Sequence, residues 1–359
     1  MNRRRFLQRT SALSGGLAFA LPEITRAQEP TARSWQTFEI TTHIEILKPA
    51  GVTRVWVPVS LQATPFQKTM AQTLHCEAGT ASIVKSAPGL NLVAAEFPPG
   101  AKPALTLTTR VETRNWMVDL SAPGSPGRAT RSELDAYLRP TRMLPTDGIV
   151  KQRATEITKA AKTDLEKARA IYEWIVENTY RNPKTRGCGI GDIRFMLESG
   201  DLGGKCADLN ALFVGLARAA GLPARDVYGL RIAPSSMGCK SLGVSSENVT
   251  KAQHCRAEVY LTAHGWVPVD PADVRKVVLE EPPGHLSLQD DAVKRVRARL
   301  FGSWEMNWMA YNYSQDVALP GASGPPVHFL MYPQAETAEG RLDSLDPASF
   351  LYQITARST

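Results

Sequence analysis

Gly203-Gly204-Lys205-Cys206-Ala207-Asp208-Leu209-Asn210-Ala211-Leu212-Phe213 is the stretch from which the rest of the chain can be read. The Gly-Gly pair frees the backbone for a tight turn, and the cysteine that follows opens a helical pattern. Leu209, Leu212, Phe213 and Leu216 recur at i, i+3, i+4 and i+7, which makes one apolar helix face. Gly221 and Pro223 end the pattern. Cys206 therefore falls on the first turn of a buried helix. Unpaired N–H groups and the helix dipole favour an anion there and ease thiolate formation. A small apolar residue opening a core helix is the bland alternative, and this stretch alone does not choose between the two.

A second stretch supplies partners. Gln253-His254-Cys255-Arg256-Ala257-Glu258-Val259-Tyr260-Leu261 reads as a strand, Thr262-Ala263-His264-Gly265 as a turn, and Trp266-Val267-Pro268-Val269-Asp270-Pro271 as the returning strand. An antiparallel hairpin brings His254 and Asp270 to the same end. A two-residue turn would point them to opposite faces, because side chains alternate along a strand. An odd-membered loop or one bulge puts them on one face, and Gly265 suits such a bulge because it tolerates a left-handed backbone. If the condition is met, a cysteine, a histidine that can take its proton and a carboxylate that orients the histidine can converge. The Cys206 N–H is a candidate oxyanion donor.

These stretches resemble the transglutaminase-like superfamily, whose core is papain-like. The matching residues are Gly204-x-Cys206-x-Asp208-x-x-x-Leu212, then Arg218-Ala219-Ala220-Gly221-Leu222-Pro223-Ala224-Arg225, His254 with Glu258-Val259-Tyr260, and Gly265-Trp266-Val267-Pro268-Val269-Asp270-Pro271. Order, spacing and flanking residues agree from about residue 165 to 275. One departure is Cys255-Arg256, where many relatives carry an aromatic two positions after the histidine. The resemblance implies Cys206 as nucleophile, His254 as base and Asp270 as orienting acid, with no cofactor and no metal. The family includes protein crosslinkers, peptidases, amidases and members with no known activity, so the reaction is not fixed by the fold. The expected function is a cysteine-dependent amide hydrolase or acyltransferase that works through a thioester on protein, peptide, isopeptide or peptidoglycan amides. The alternative is a non-catalytic binding or scaffold module on the same core. A metal site built from Cys188, Cys206, Cys239, His254 and Cys255 finds no support, since the spacings match no Cys-x-x-Cys or His-x-x-x-His arrangement.

The chain opens with an address. Asn2-Arg3-Arg4-Arg5-Phe6-Leu7-Gln8 precedes a mild Ala/Gly/Ser-rich run from Ala12 to Leu21, too short and too weakly apolar for a stable membrane span. Residues 1–27 read as a twin-arginine signal peptide, cleaved after Ala27, with the twin-arginine translocase as partner during export and the periplasm as destination. No stable membrane anchor is expected. The net charge of +7 is largely explained by this segment, whose five arginines and one glutamate leave only about +3 elsewhere. No basic block interleaved with aromatics follows, so nucleic acid is not an expected partner. Five scattered cysteines do not make a disulfide framework.

Between residues 33 and 120 the pattern has period two. Phe38, Ile40, Ile44 and Ile46 share one parity, as do Val55, Val57 and Val59, and turn residues break the runs at Pro49-Ala50-Gly51, Pro88-Gly89 and Pro98-Pro99-Gly100. A small antiparallel β-sandwich domain is expected there. Ser121 to Gly127 reads as a linker. A catalytic domain over residues 130–335 follows, with Thr163 and Glu166 as a capping box and Ala168, Ile171, Trp174 and Ile175 as a core stripe, and residues 336–359 are left as a C-terminal tail. The fold class is thus α+β, a papain-like core preceded by a sandwich. Arg186-Gly187-Cys188-Gly189-Ile190-Gly191-Asp192 lacks the spacing of a nucleotide loop and is expected to wall the cleft. Gly302-Ser303-Trp304-Glu305-Met306-Asn307-Trp308 is expected to pack in the core.

Overall fold

A computed structural model of the chain describes residues 34–124 and 129–359. The signal segment 1–27 and part of the linker before Gly127 lie outside the described residues. Ala32–Thr359 forms one compact unit, α+β in class.

The N-terminal half folds as expected, for the reason the alternation gives. In the strand Gln36–Ile46, Phe38, Ile40, Ile44 and Ile46 are buried. Its neighbours are Ala104–Thr113 on one side and Phe350–Ser358 on the other, and Gln67–Cys76 completes a four-stranded antiparallel sheet. A second sheet orders Gly340–Arg341, Gln334–Thr337, Thr53–Pro58, Leu90–Phe97 and Thr80–Ala87, again antiparallel. Ile44, Leu105, Leu107 and Phe350 of the first sheet pack with Val55, Val57, Val93 and Phe97 of the second, which makes the sandwich.

The C-terminal residues correct the expected boundaries. Residues 336–359 are not a tail. Phe350–Ser358 pairs along nearly the whole of Gln36–Ile46, and Gln334–Thr337 pairs with Thr53–Pro58. Phe350, Ile354 and Ala356 are buried at even positions. Without this strand the edge of Gln36–Ile46 would present unpaired N–H and C=O groups to water. The sandwich is therefore built from both ends of the chain, and Phe38, Ile40, Val111, Ile354 and Ala356 share one apolar cluster with the helices of the core.

That core places the helix Cys206–Ala219 against a four-stranded antiparallel sheet ordered Gly265–Val269, Gln253–Leu261, Ala224–Arg231 and Trp308–Asn312. Every residue of the helix is buried, so it forms the centre rather than an amphipathic face. The helices Gly148–Thr158 and Asp164–Asn178 pack beside it, the second opened by the expected Thr163–Glu166 capping box. The Trp304 and Trp308 rings are buried with Phe66 and partly buried Trp116, a core cluster as expected.

Candidate active site

The hairpin meets the parity condition. Leu261 pairs with Gly265 and Ala257 with Val269, so three residues, Thr262 to His264, close the turn. An odd loop keeps even positions opposite even ones. Gly265, with φ of 74°, takes the left-handed backbone that this turn demands. His254 and Asp270 consequently face each other, and His254 Nε2 lies 2.7 Å from Asp270 Oδ2.

Asp270 does more than end a strand. It is the N-cap of the helix Pro271–Glu280, and its Oδ1 accepts the Asp273 N–H at 3.1 Å. Asn210 Nδ2 reaches the same oxygen at 3.2 Å and also donates to the Cys255 carbonyl. One carboxylate oxygen is thereby tied to the Cys206 helix and to its own helix start, and the other is left for the imidazole. Trp308 Nε1 donates to the His254 carbonyl at 2.8 Å and fixes the backbone beneath the ring.

Cys206 opens its helix as read from the sequence, and it lines one cleft together with His254. Both side chains are nearly enclosed, with relative exposure of 4% each. The thiol of Cys206 is held well below the ordinary cysteine range. Contact with the Cys188 thiol contributes most, then contact with Cys255, and His254 adds a hydrogen bond and its charge, together outweighing burial. His254 is raised. Burial and the nearby Arg231 push it down, and the carboxylates of Asp273 and Asp270 overcome both. The two shifts run in the direction that favours charge on both groups. Since Nε2 is engaged by Asp270, the remaining ring nitrogen, Nδ1, is the one available to the sulfur.

The glycine-rich segment walls the cleft and holds Cys206 in place. Asp208 accepts the N–H groups of Ile190 and Gly191 on one oxygen and that of Lys205 on the other. Ala207 N–H donates to the Cys188 carbonyl. A Cβ on Gly189 would stand 1.9 Å from an Asp208 oxygen, and one on Gly204 would stand 2.5 Å from the Asp208 Cβ. The two glycines are therefore required by the close approach of the loop to the helix start. Asp208 complements the helix N-terminus, as its place on the first turn suggests, and it also clamps the loop.

Asp273, Arg231 and Asn210 were not singled out in the sequence. Asp273 lies 3.5 Å from His254 Nε2 and forms a buried ion pair with Arg231. Asp270-Pro271 carried the signal, since an N-cap acid followed by proline marks a helix start and places Asp273 one turn on, beside the cap. His254, Asp270 and Asp273 could together offer three ligand atoms to a cation. Arg231 and Arg256 already neutralise these carboxylates, which leaves the group poorly suited to a metal. All five cysteines are free thiols. His43 and His75 bind neighbouring polar side chains in the sandwich sheet, away from the cleft.

Residues 151–271 match the transglutaminase-like superfamily. An uncharacterized protein of Haemophilus influenzae is 41% identical over 234 residues, which is 63% of this chain and 63% of that protein's length. Among solved structures, one described as a candidate cysteine protease from Cytophaga hutchinsonii superposes with a TM-score of 0.52 at 16% identity. It covers 90% of this chain and 99% of its own. That likeness is one of fold. The periplasmic domain of TgpA from Pseudomonas aeruginosa is more distant, with a TM-score of 0.38 and 15% identity over 68% of this chain and 88% of that one.

Proposed function

The chain belongs, through its 151–271 core, to the transglutaminase-like superfamily, and on that premise we propose that it is a cysteine-dependent amide hydrolase of the periplasm. Cys206 acts as nucleophile, His254 as base and acid, and Asp270 as the group that orients the imidazole. The observation that carries this reading is the 2.7 Å contact between His254 and Asp270 beside a thiol lowered at a helix start.

The chemistry follows from the geometry. His254 Nδ1 takes the proton of Cys206, and the thiolate adds to the carbonyl carbon of the scissile amide. Negative charge moves to the carbonyl oxygen, where the Cys206 N–H can donate to it; that N–H has no backbone acceptor among the described residues. The C–N bond breaks as His254 returns its proton to the leaving amine. The acyl group stays on sulfur as a thioester. Water, deprotonated by His254, then releases the acid and frees the thiol.

Water is favoured over an amine as acceptor. An apolar tunnel would suit amine transfer, because it excludes water. This cleft, about 500 Å³, is lined by arginines and lysines and would repel a protonated amine. The substrate class is peptide, isopeptide or peptidoglycan amide. Incubation with peptidoglycan fragments and casein, with and without a labelled amine, reads both substrate and acceptor from product masses. A thioester adduct on Cys206, lost in Cys206→Ala together with turnover, is the expected result. Turnover retained by Cys206→Ala would exclude the mechanism.

Export rests on Arg3-Arg4-Arg5-Phe6-Leu7. Replacing all three arginines by lysine should leave the precursor in the cytoplasmic fraction, and normal export of that variant would remove the assignment.

A further inference from the structure

The cleft around Cys206 and His254 is lined by Arg181, Arg186, Lys205, Arg231, Lys251 and Lys276, and, among the described residues, by no carboxylate side chain. Three carboxylates outside the lining answer four of these cations. Glu280 pairs with both Arg181 and Lys276, Asp343 with Arg186, and Asp273 with Arg231 while also facing His254. Four of the six cations thus share three carboxylates, one of which also serves the imidazole. Lys205 and Lys251 form no ion pair among the described residues.

The inner part of the wall is crowded with like charge. Burial, and next the repulsion of Arg231, bring the Lys276 ammonium down to about 8, and Arg181 adds to it. An anion placed among these groups would relieve that repulsion, whereas a neutral ligand gains nothing from it and a cation is opposed. The overall charge of the chain does not explain the feature, because most of it belongs to residues 1–27.

We propose that the substrate is an acidic peptide, one that places a carboxylate of Asp, Glu or the chain terminus close to the scissile amide, against Lys276, Lys251 and Lys205. The proposal rests on the reading of Cys206 as the nucleophile for its link to turnover, but not for binding. The cationic wall selects the substrate by charge, and the triad then acts on the amide so held. Selection of this kind is strongest at low ionic strength, since exposed charges are screened within about 8–10 Å at physiological salt.

The test uses the full chain as Cys206→Ala, which binds without turning over. Three dye-labelled hexapeptides serve as probes, alike except that two alanine-flanked positions hold glutamate, glutamine or phosphoserine. Fluorescence anisotropy should show the glutamate peptide binding about tenfold or more tighter than the glutamine peptide at low salt. The advantage should shrink in 0.5 M salt, where the Debye length is on the order of a few ångströms, and in the double variant Lys251→Gln with Lys276→Gln. Equal binding of the glutamate and glutamine peptides overturns the proposal, as does failure of the glutamate peptide to bind at millimolar concentration. Tighter binding of the phosphoserine peptide overturns the carboxylate assignment. A glutamate peptide that binds selectively to Cys206→Ala but is left uncleaved by the wild-type protein counts against the hydrolase reading and not against the charge selection.

Discussion

Replacing Asp270 by asparagine keeps the shape of the side chain and removes one charge. Its consequence can be worked out atom by atom. Oδ1 of Asp270 accepts two donors, Asn210 Nδ2 and the Asp273 N–H. In the asparagine variant the amide oxygen must take that place, because the NH₂ group there would face two donors. The NH₂ then occupies the Oδ2 position, 2.7 Å from His254 Nε2. Nε2 can only accept from it, so the neutral ring carries its proton on Nδ1, facing Cys206, and cannot take another. The ion pair also loses a charge-assisted hydrogen bond, worth about 1.5–3 kcal/mol, or roughly one to two pKa units on the imidazole at about 1.4 kcal/mol per unit. The sign is definite. The raised His254 pKa falls, the lowered Cys206 pKa rises, and the pH window in which both are charged narrows from both ends. Alkylation of Cys206 by iodoacetamide, followed by mass spectrometry against pH, reads this directly. The wild-type rate should rise with a midpoint below that of a free thiol. In Asp270→Asn the midpoint should move up, and the rate at a pH below both midpoints should drop about 10- to 100-fold. Amide turnover should fall by about 10²–10⁴, the span associated with loss of a positioned base. An alkylation profile identical to the wild type would refute the assigned geometry, because it would mean that Asp270 does not set the state of the ring.

Three other perturbations have definite outcomes. Asp273→Asn leaves Arg231 buried without its carboxylate, so a loss of about 3–5 kcal/mol is expected in denaturant melts; a melt within experimental error of the wild type would show that the pair is not needed for the fold. Asp226 is fully buried, one of its oxygens lacks a partner, and burial raises its carboxyl to about 7. An acid raised on folding costs stability as pH climbs from its unfolded value of about 4 to its folded one. Asp226→Asn should therefore gain in unfolding free energy relative to the wild type between pH 5 and pH 8, on the order of a few kcal/mol, and a constant difference across that range would contradict the assignment. Deleting residues 350–359 removes buried Phe350, Ile354 and Ala356 and exposes the edge of Gln36–Ile46. Aggregation or a melting temperature lowered by about 5 °C or more is expected for a loss of roughly 3 kcal/mol or more, and an unaffected melt would return this segment to the status of a tail.

The sequence made some parts of this molecule readable and hid others for identifiable reasons. Period-two runs such as Phe38 to Ile46 were readable because each strand has one buried face. The strand Gln253–Leu261 was found to its ends by its flanking turns, although all nine of its residues are buried. Phe350, Ile354 and Ala356 carried the same alternation, but the partner strand lies more than three hundred residues away, and a pattern does not name its partner. The short helices Ile193–Ser199 and Asp291–Arg299 were missed because each buries only two or three residues and so leaves little periodic signal. Cys206, His254 and Asp270 were accessible because a helix start and the two ends of a hairpin are marked by local residues and the family resemblance names the same three, while the parity of the loop stayed a condition until the pairing of Leu261 with Gly265 met it. Asp273 and Arg231 were not, because their pairing depends on where a helix start meets a strand of the sheet.

The charges at this site divide into two groups, and the division bears on how the two proposals can fail. Asp270, Asp273, Arg231 and Arg256 are buried and mutually paired, so their field on His254 is little altered by salt. Lys205 and Lys251 stand in the cleft without ion pairs among the described residues and are open to screening. Salt should therefore weaken selection among substrates while leaving the ionisation of Cys206 nearly fixed. An alkylation midpoint that moved with salt as strongly as peptide binding would mean that the cations of the wall, rather than the buried carboxylates around His254, control the thiolate.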